Sequence, residues 1–596
     1  MIYVFLFLFG IQEFETETPL PEDLAEILAE LKENPVDINR ANVKELQKIP
    51  WIDERLARNI VKYRKKRPFK RKEDLLKVKG MSMPILVKIS PYIKVGKISV
   101  IRVKKRKKPF LKQRFRIKVK DGEYKSYYKL QIFRENLKAF LLSDEDPEEN
   151  GVVNYLTGKS EKIVPDYLNF GVQIENLYNL DKIIIGAYTL SFGERLVLGS
   201  PAMSVKGTGL VKSKEKGALL YALSGENLGL FGLCMQGNIK RVLTSYLFLS
   251  LNKIDGEIED NKIVPYFLYE ADHSTISGEE RKDALTEGLM GFRAEYRKMN
   301  KKFGLTFYYS QIVKDTFTLK NYPVGLDYLF DYDDYRIFGE FGYSKSFANI
   351  TGFEYSYKSI AIRFLYRNIP YNYTSPHASP FTDKKPDKEG RISDKGFYIE
   401  TEFKTKKFGI LAYFDVFSYP QAVGKYLMPM MAGFERRIIA NFKPSKGIEL
   451  QINFKFKQKD NVKAEWKRFE FSFSPLPHLS FDFRSEIMKQ VSDKVEKGDL
   501  SFVGIRYSFG KFYLKSRYIL FDVEPSYPWK IYEFEDEIPG SMTTMGLSGE
   551  GKRFYFVFGI KIMKNLSFHS KFGITEKCGE PLSTSLSLQL DNVFYQ

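Results

Sequence analysis

The sequence predicts a mainly β protein in which a large antiparallel membrane β-barrel of about 18–24 strands follows a small all-α domain. The first observation is an apolar residue at every second position from about Leu111 onward, the period of a strand with two unlike faces. The second is that these alternating segments are separated by turn sequences, as in transmembrane barrels. The third is that residues 36–94 show the spacing of short helices instead.

The alternation gives runs of one parity such as Ile452–Phe456, Phe469–Phe473 and Leu479–Phe483, and it continues to Phe594. A barrel needs strands to the end of its sheet, because closure removes both edges. The alternative is a soluble β-solenoid or a multi-sheet periplasmic domain, which the absence of a fixed-period repeat disfavours. No run of 18 or more apolar residues occurs, so transmembrane helices are excluded.

Polar stretches between the alternating segments predict longer loops at one side of the barrel. They are residues 143–150, 255–263, 272–288, 370–396 and 488–499. Short turns such as 443–447 are expected at the other side. The acidic groups at 144–149 and at Asp327, Asp331, Asp333 and Asp334 are interpreted as solvated loops rather than as Ca²⁺ sites.

The N-terminal region predicts export and one isolated helix. Residues 1–12 begin with nine apolar residues like the core of a secretory signal, although the charged segment that normally precedes it is missing. Residues 20–34 fit an amphipathic helix with Leu24, Leu28 and Leu31 on one face. The remaining boundaries are a helical domain at 36–94, a basic linker at 95–110 and the barrel at 111–596.

Residues 36–94 predict four short helices joined by two hairpins. Asn42 and Glu45 have the spacing of a capping box for the first helix, and Asp53 can cap a longer second helix that runs to about Lys65. The turn 49–52 lies between these two helices. Residues 73–78 and 82–89 predict the third and fourth helices, with the second hairpin at 79–81.

The helical block carries a diagnostic set of residues: Val36–Asn42, Leu46, Ile49-Pro50, Ala57, Ile60, Tyr63-Arg64, Pro68-Phe69, Glu73–Leu75 and Val78–Gly80. With these residues it resembles the paired helix-hairpin-helix domain of the ComEA type, a DNA receptor of bacterial competence systems. The resemblance covers about a tenth of the chain and implies contact with nucleic-acid backbones. The first hairpin departs from the family pattern, since Trp51 stands where glycine usually follows proline, and an indole there blocks or covers the approach to a phosphate.

A second motif lies in the barrel region, at Ile185–Leu196 (IGAYTLSFGERL). It resembles a stretch of outer-membrane proteins, common in Bacteroidetes-type bacteria, that carry an N-terminal helix-hairpin-helix pair. Where those proteins tend to read Gly-Gln-Gly-Leu, this chain reads Gly-Glu-Arg-Leu at 193–196. This resemblance implies architecture and an outer-membrane location with a periplasmic helical domain, more than it implies an activity.

Positive charge is concentrated in and just after the helical block. The whole chain carries a net charge of +20, with 16 bases and 6 acids in residues 36–93 and 13 bases without an acid in residues 94–120. Such a block favours DNA or another polyanion, bound through phosphates without base reading. The candidate DNA-binding residues are Lys79, Gly80, Arg55, Arg58, Lys62, Lys104, Lys105, Arg106, Lys107 and Lys108. A solvated linker and a collar near anionic lipid are the alternatives for residues 104–108.

The sequence indicates no enzyme. It contains no phosphate-binding P-loop, no nucleophile elbow and no paired histidines, so no catalytic residue, metal or cofactor is assigned. Cys234 and Cys578 are the two cysteines, and two such isolated residues are more often free than paired.

Three functions are consistent with these patterns. The first is an outer-membrane barrel whose periplasmic helix-hairpin-helix module binds DNA without sequence preference, in uptake or surface retention. The alternative is an outer-membrane channel or export or assembly protein in which the module is a docking or plug element, with a periplasmic protein as partner; an exposed Trp51 indole would suit this contact. The third is a soluble DNA-binding protein with a β-rich domain.

Overall fold

The computed structural model describes most of the chain from Leu28 onward. The described residues are 28, 31–32, 35–49, 51–52, 54–81, 85–86, 89–96, 110–147, 152–158, 163, 165, 167–199, 206, 216–225, 229–239, 242–259, 262–266, 280–332, 334–383, 391–405, 407–423, 426–445, 447–476, 478–524 and 531–595. The predicted signal-like segment and residues 104–108 lie outside these ranges.

In the described ranges, 24 antiparallel strands form one closed barrel, which confirms the predicted fold class. Each strand pairs with its neighbours in sequence, and the last strand pairs with the first from Phe110↔Tyr595 to Lys120↔Ser585. In chain order the strands are β1 Phe110–Lys120, β2 Glu123–Arg134, β3 Leu137–Glu145, β4 Tyr167–Leu177, β5 Leu180–Ser191, β6 Leu230–Ile239, β7 Leu243–Ile254, β8 Leu285–Lys298, β9 Lys301–Lys314, β10 Val324–Asp331, β11 Tyr335–Ser344, β12 Ser346–Tyr357, β13 Ile360–Ile369, β14 Asp394–Lys404, β15 Phe408–Val423, β16 Tyr426–Phe442, β17 Ile448–Lys459, β18 Val462–Leu476, β19 Leu479–Val491, β20 Val495–Phe509, β21 Phe512–Val523, β22 Gly549–Lys561, β23 Leu566–Lys577 and β24 Ser583–Tyr595.

The two ends of the barrel differ in the length of their connections. At one end, here called the short-turn end, the turns that follow the even-numbered strands from β2 to β22 are two to five residues long. The opposite, long-loop end carries the connections 146–166, 192–229, 255–284, 370–393 and 524–548. A short helix, Val152–Leu156, lies in the first of these loops. The expectation of a loop at 488–499 is wrong, because β19 and β20 extend through it and leave a turn of only 492–494.

The barrel presents apolar side chains outward and polar ones inward, the reverse of a soluble protein. On β13, Ile362 and Phe364 are 37% and 40% exposed, whereas the alternating Arg363 and Arg367 are 3% and 0% exposed. This arrangement places the apolar face toward lipid and the charged face toward the lumen. No helix in the described ranges is long and apolar enough to cross a bilayer.

Segments from the long-loop end fold back into the lumen. The motif after β5 turns inward at Phe192–Gly199, where the Glu340 carboxylate accepts the N–H groups of Leu196 (3.0 Å) and Val197 (3.1 Å). Arg195 has a φ of 64°, in the region that favours glycine. The motif is therefore a sharp luminal turn clamped to the barrel wall.

A second inward segment is the hairpin formed by Ile531–Glu535 and Thr543–Leu547, here called the luminal hairpin. Arg484, Arg517 and Arg116 of the barrel wall donate hydrogen bonds to main-chain carbonyls of this hairpin and its turn at 3.1, 2.9 and 3.0 Å. The hairpin belongs to the connection between β21 and β22, so it descends from the long-loop end.

The acidic group near Asp327 departs from the expected solvated loop. Asp327 lies in β10, is 3% exposed and pairs with Arg293 and Lys302 in the lumen. Asp144 is likewise buried, in β3, beside Lys125. Both cysteines are free, with Cys234 buried in β6 and Cys578 exposed beyond β23.

A charged substitution on the outward face tests whether this face contacts lipid. Leu249, near the middle of β7, is 47% exposed toward the predicted lipid side. We expect Leu249→Arg to lower the free energy of unfolding in phospholipid vesicles by about 2–4 kcal/mol, measured by urea titration. As a control, Ile239→Arg at the end of β6 lies near the bilayer boundary and should cost about 0–1 kcal/mol; equal costs would contradict the lipid-facing assignment.

Candidate functional site

The helical module before the barrel is built from short helices around one apolar core. Its described helices are α1 Val43–Leu46, α2 Glu54–Lys66 and the 3-10 turns Lys72–Lys77 and Ser90–Tyr92. The predicted capping box is confirmed, since Asn42 accepts the N–H of Glu45 at 2.8 Å and Glu45 accepts that of Asn42 at 2.9 Å. The predicted third helix is a 3-10 turn instead.

Polar contacts join the two halves of the module. The Asn39 side chain donates to the carbonyls of Phe69 (2.9 Å) and Gly96 (3.1 Å), while the Phe69 N–H donates back to it at 3.0 Å. Val36–Asp37 pairs in parallel with Ile93–Lys94. These contacts close the block, so its hairpins have fixed positions relative to one another.

The first hairpin turns its indole into the core. Trp51 is 4% exposed and stacks on Tyr92 with ring centroids 5.7 Å apart. Burial raises the pKa of Tyr92 above its ordinary value and lowers the pKa of nearby Lys72 to about 8. The expectation that Trp51 offers an exposed indole for protein contact is therefore wrong: this residue is a core residue of the module.

The second hairpin faces the short-turn end of the barrel. Gly80 has a φ of 87°, the left-handed conformation that glycine adopts readily, and Asn59 on α2 donates to the Lys79 carbonyl at 2.9 Å. The Lys79 ammonium pairs with Asp334, in the turn between β10 and β11. Lys404, at the end of β14, donates to the Met81 carbonyl. The hairpin thus contacts two strand ends of the barrel.

The luminal hairpin completes the contact from inside the barrel. Phe534 is 3% exposed and belongs to the apolar core of the module, and Met542 packs against the same core. Lys32, in the helical segment before the module, lies near Asp536 and Lys515; burial, with Lys515, lowers its pKa well below the ordinary value. Sequence reasoning missed this contact, because a loop residue nearly 500 positions away carries no local signal of where it packs.

The basic residues of α2 form a stripe that points away from the core. Arg58, Lys62 and Lys65 are exposed and share one face of the helix by their spacing. Leu56 and Ile60, on the opposite face, are buried as predicted. Arg55 belongs to the same helix, but its side chain lies outside the described atoms, as do residues 104–108 entirely. Of the candidate residues, Lys79 and Gly80 lie against the barrel, whereas Arg58 and Lys62 lie on the side of α2 away from the module core.

Comparison with known proteins identifies the module by its motif. A model described as the helix-hairpin-helix motif matches residues 31–94. No protein of curated function matches the sequence.

The barrel is similar to several solved structures. These include the E. coli P pilus tip assembly intermediate PapC-PapD-PapK-PapG (8% identity, 85% of this chain and 63% of that chain, TM-score 0.44) and the siderophore receptor PirA from Pseudomonas aeruginosa (7% identity, 82% and 80%, TM-score 0.41). The chain thus spans 63% of the first of these. At such identities the likeness concerns fold alone, and the barrel assignment rests on the strand pairing of this chain. In its described residues the protein combines a helix-hairpin-helix motif with a closed barrel of 24 antiparallel strands.

Replacing Trp51 tests whether the first hairpin is structural. We expect Trp51→Gly to destabilise the module by about 3–5 kcal/mol, because it removes a buried ring and its stacking on Tyr92. Hydrogen exchange of the module amides in the full-length protein measures this destabilisation. Trp51→Phe keeps an aromatic ring and should destabilise the module much less; unchanged protection in Trp51→Gly would contradict the core assignment.

Proposed function

We propose that the protein is an outer-membrane barrel with a closed passage, in which the helix-hairpin-helix module is a plug docked at the short-turn end. The observation that carries this proposal is the packing of Phe534, from a loop of the opposite end, into the core of the module. A module tethered only by its linker would have no such contact. Loops folded into the lumen narrow the passage, and the module closes it at the short-turn end.

The difference between the two ends supports a direction for this plug. In bacterial outer-membrane barrels the short turns face the periplasm and the long loops face outward. By that rule the module lies on the periplasmic side, where a periplasmic protein partner can reach it. The outward apolar face of the strands argues against the third function, a soluble DNA-binding protein.

Contacts of the second hairpin with the barrel favour a plug over a phosphate grip. Backbone N–H groups at a hairpin bind phosphate only where a phosphate can approach them. Trp51 packs into the module at the first hairpin, and the second hairpin lies against Asp334 and Lys404. In the docked state, therefore, the second hairpin does not offer the open surface that the resemblance to DNA receptors implies.

Binding of DNA or another polyanion is a second candidate function, supported by the exposed stripe Arg58, Lys62 and Lys65 on α2. Positive charge at this density attracts phosphate backbones in a salt-dependent manner. The stripe lies on the face opposite the module core, so DNA uptake or retention through this face is compatible with docking.

Charge reversal at the docking contact tests the plug. The ion pair of Lys79 and Asp334 is partly exposed, and such pairs contribute about 0.2–1 kcal/mol. We expect Lys79→Glu and Asp334→Lys each to raise the open probability in planar lipid bilayers by roughly two- to fivefold, with K79E/D334K returning to the wild-type value. Equal opening in the single and double variants would contradict docking through this pair.

Charge reversal on the α2 stripe tests the second candidate. The full-length protein in detergent should bind duplex DNA at low salt, and R58E/K62E/K65E should weaken binding and lower the salt slope by about 0.9 for each phosphate that is no longer neutralised. The control K298E/K301E/K358E changes the same charge at turns of the same barrel end and should bind like wild type. Wild-type protein without low-salt affinity, or without a salt slope, would exclude DNA as the ligand of this face.

A further inference from the structure

We propose that the barrel wall holds a cationic site for an extended acidic polypeptide segment, and that the luminal hairpin occupies this site as an internal competitor. The hairpin strand and the turn after it read Glu-Phe-Glu-Asp-Glu at 533–537. Its four carboxylates point into a wall that supplies bases from β20, β21, β22 and β23. The luminal hairpin therefore shows which kind of ligand the site can bind.

Each carboxylate of the run has its own basic partner on the wall. Glu533 pairs with Arg517, and Glu535 is held on both oxygens by Arg553, with the second contact at 3.0 Å. Asp536 accepts from Arg506 at 2.9 Å and from Lys515 at 3.1 Å. Glu537 accepts from Lys571 at 2.5 Å. Such paired, charge-assisted bonds fix both position and direction of the strand.

The main chain of the hairpin is recognised as well as its charge. The carbonyls of Tyr532, Phe534 and Pro539 accept hydrogen bonds from Arg484, Arg517 and Arg116. The Asp536 N–H donates to the Tyr555 hydroxyl at 2.9 Å. The backbone of a nucleic-acid strand offers phosphates but no carbonyl or N–H groups. The contacts therefore favour an acidic polypeptide as the ligand.

The basic side chains of this wall need an anionic partner. In the part of the chain that the structure describes, Lys515, Arg553 and Lys571 have their carboxylate partners on the hairpin alone. Withdrawal of the hairpin leaves the buried Arg553 and Lys571 and the partly buried Lys515 uncompensated, which is strongly unfavourable. Another segment of the same chemistry would remove that penalty, so displacement by exchange is easier than simple opening.

Exchange at this site would act on the module. Phe534 lies in the acidic run and also in the module core, so a segment that displaces the hairpin withdraws this contact from the docked module. This consequence rests on the proposed plug function, whereas the site itself does not. The two are therefore measured by separate readouts.

The test uses the full-length protein in detergent and a fluorescent peptide with the sequence of residues 531–540. In E533Q/E535Q/D536N/E537Q the internal competitor is no longer charged, and we expect the peptide to bind at least roughly tenfold more tightly than to wild type. Adding R553E/K571E to that variant should abolish binding. The control E123Q/D315N/E550Q/E580Q removes four exposed acids and should behave as wild type; heat-modifiable migration on gels verifies that each barrel is folded.

The outcomes separate the site from the plug. Equal peptide affinity in wild-type and hairpin variants, or tighter binding of a single-stranded DNA oligonucleotide of equal charge, would overturn the proposal. A disulfide formed by K79C/D334C in a Cys578→Ser background reports docking of the module. We expect bound peptide to lower the yield of this disulfide. Tight peptide binding with an unchanged disulfide yield would support the cationic site and contradict the plug.

Discussion

A barrel of 24 strands encloses more space than its own inward side chains can fill, and the inward side chains here are rich in charge. Buried charges are tolerated only when each has a partner of opposite sign. Arg363 lies against Glu400 and Glu402, and Arg367 lies between Asp394 and Asp415. Where a charged residue of the wall has no partner on another strand, a loop must supply the opposite charge. This requirement explains why the luminal hairpin lies inside the barrel. The inward course of this hairpin thus follows from charge pairing inside the lumen.

The period of the strands was predictable because it is a local property. One apolar and one polar face per strand follow from the environment on each side, so Ile452 and Phe454 face outward while Asn453 is buried in the lumen. The module was predictable for a similar reason, since capping at Asn42 and the inner face of α2 depend on residues within two turns. Long-range packing was not: the acidic run at 533–537 has the composition of a solvated loop and lies inside the barrel.

The same limit explains what was misjudged at the site. The position of Trp51 in the hairpin predicts an exposed indole. Its actual environment is set by stacking on Tyr92, which is distant in sequence. Residues 488–499 form strand ends although they are polar, because Lys489, Lys497 and Asp499 are exposed there on the outward face. Arg58 and Lys62 lie on the side of α2 away from the core, which helical spacing alone separates from the buried side.

The seam between β1 and β24 also constrains how the molecule is made. Because Phe110 pairs with Tyr595, the ring closes only when the first and last strands meet, and the mean separation of contacting residues is correspondingly large. The luminal hairpin acquires its full set of wall partners only in the closed ring, since Gln589 of β24 and Arg116 of β1 both bind the Pro539 carbonyl. Complete anchoring of the hairpin that carries Phe534 therefore requires the closed ring. A protein that recognises only the docked module would therefore distinguish a closed barrel from an open one.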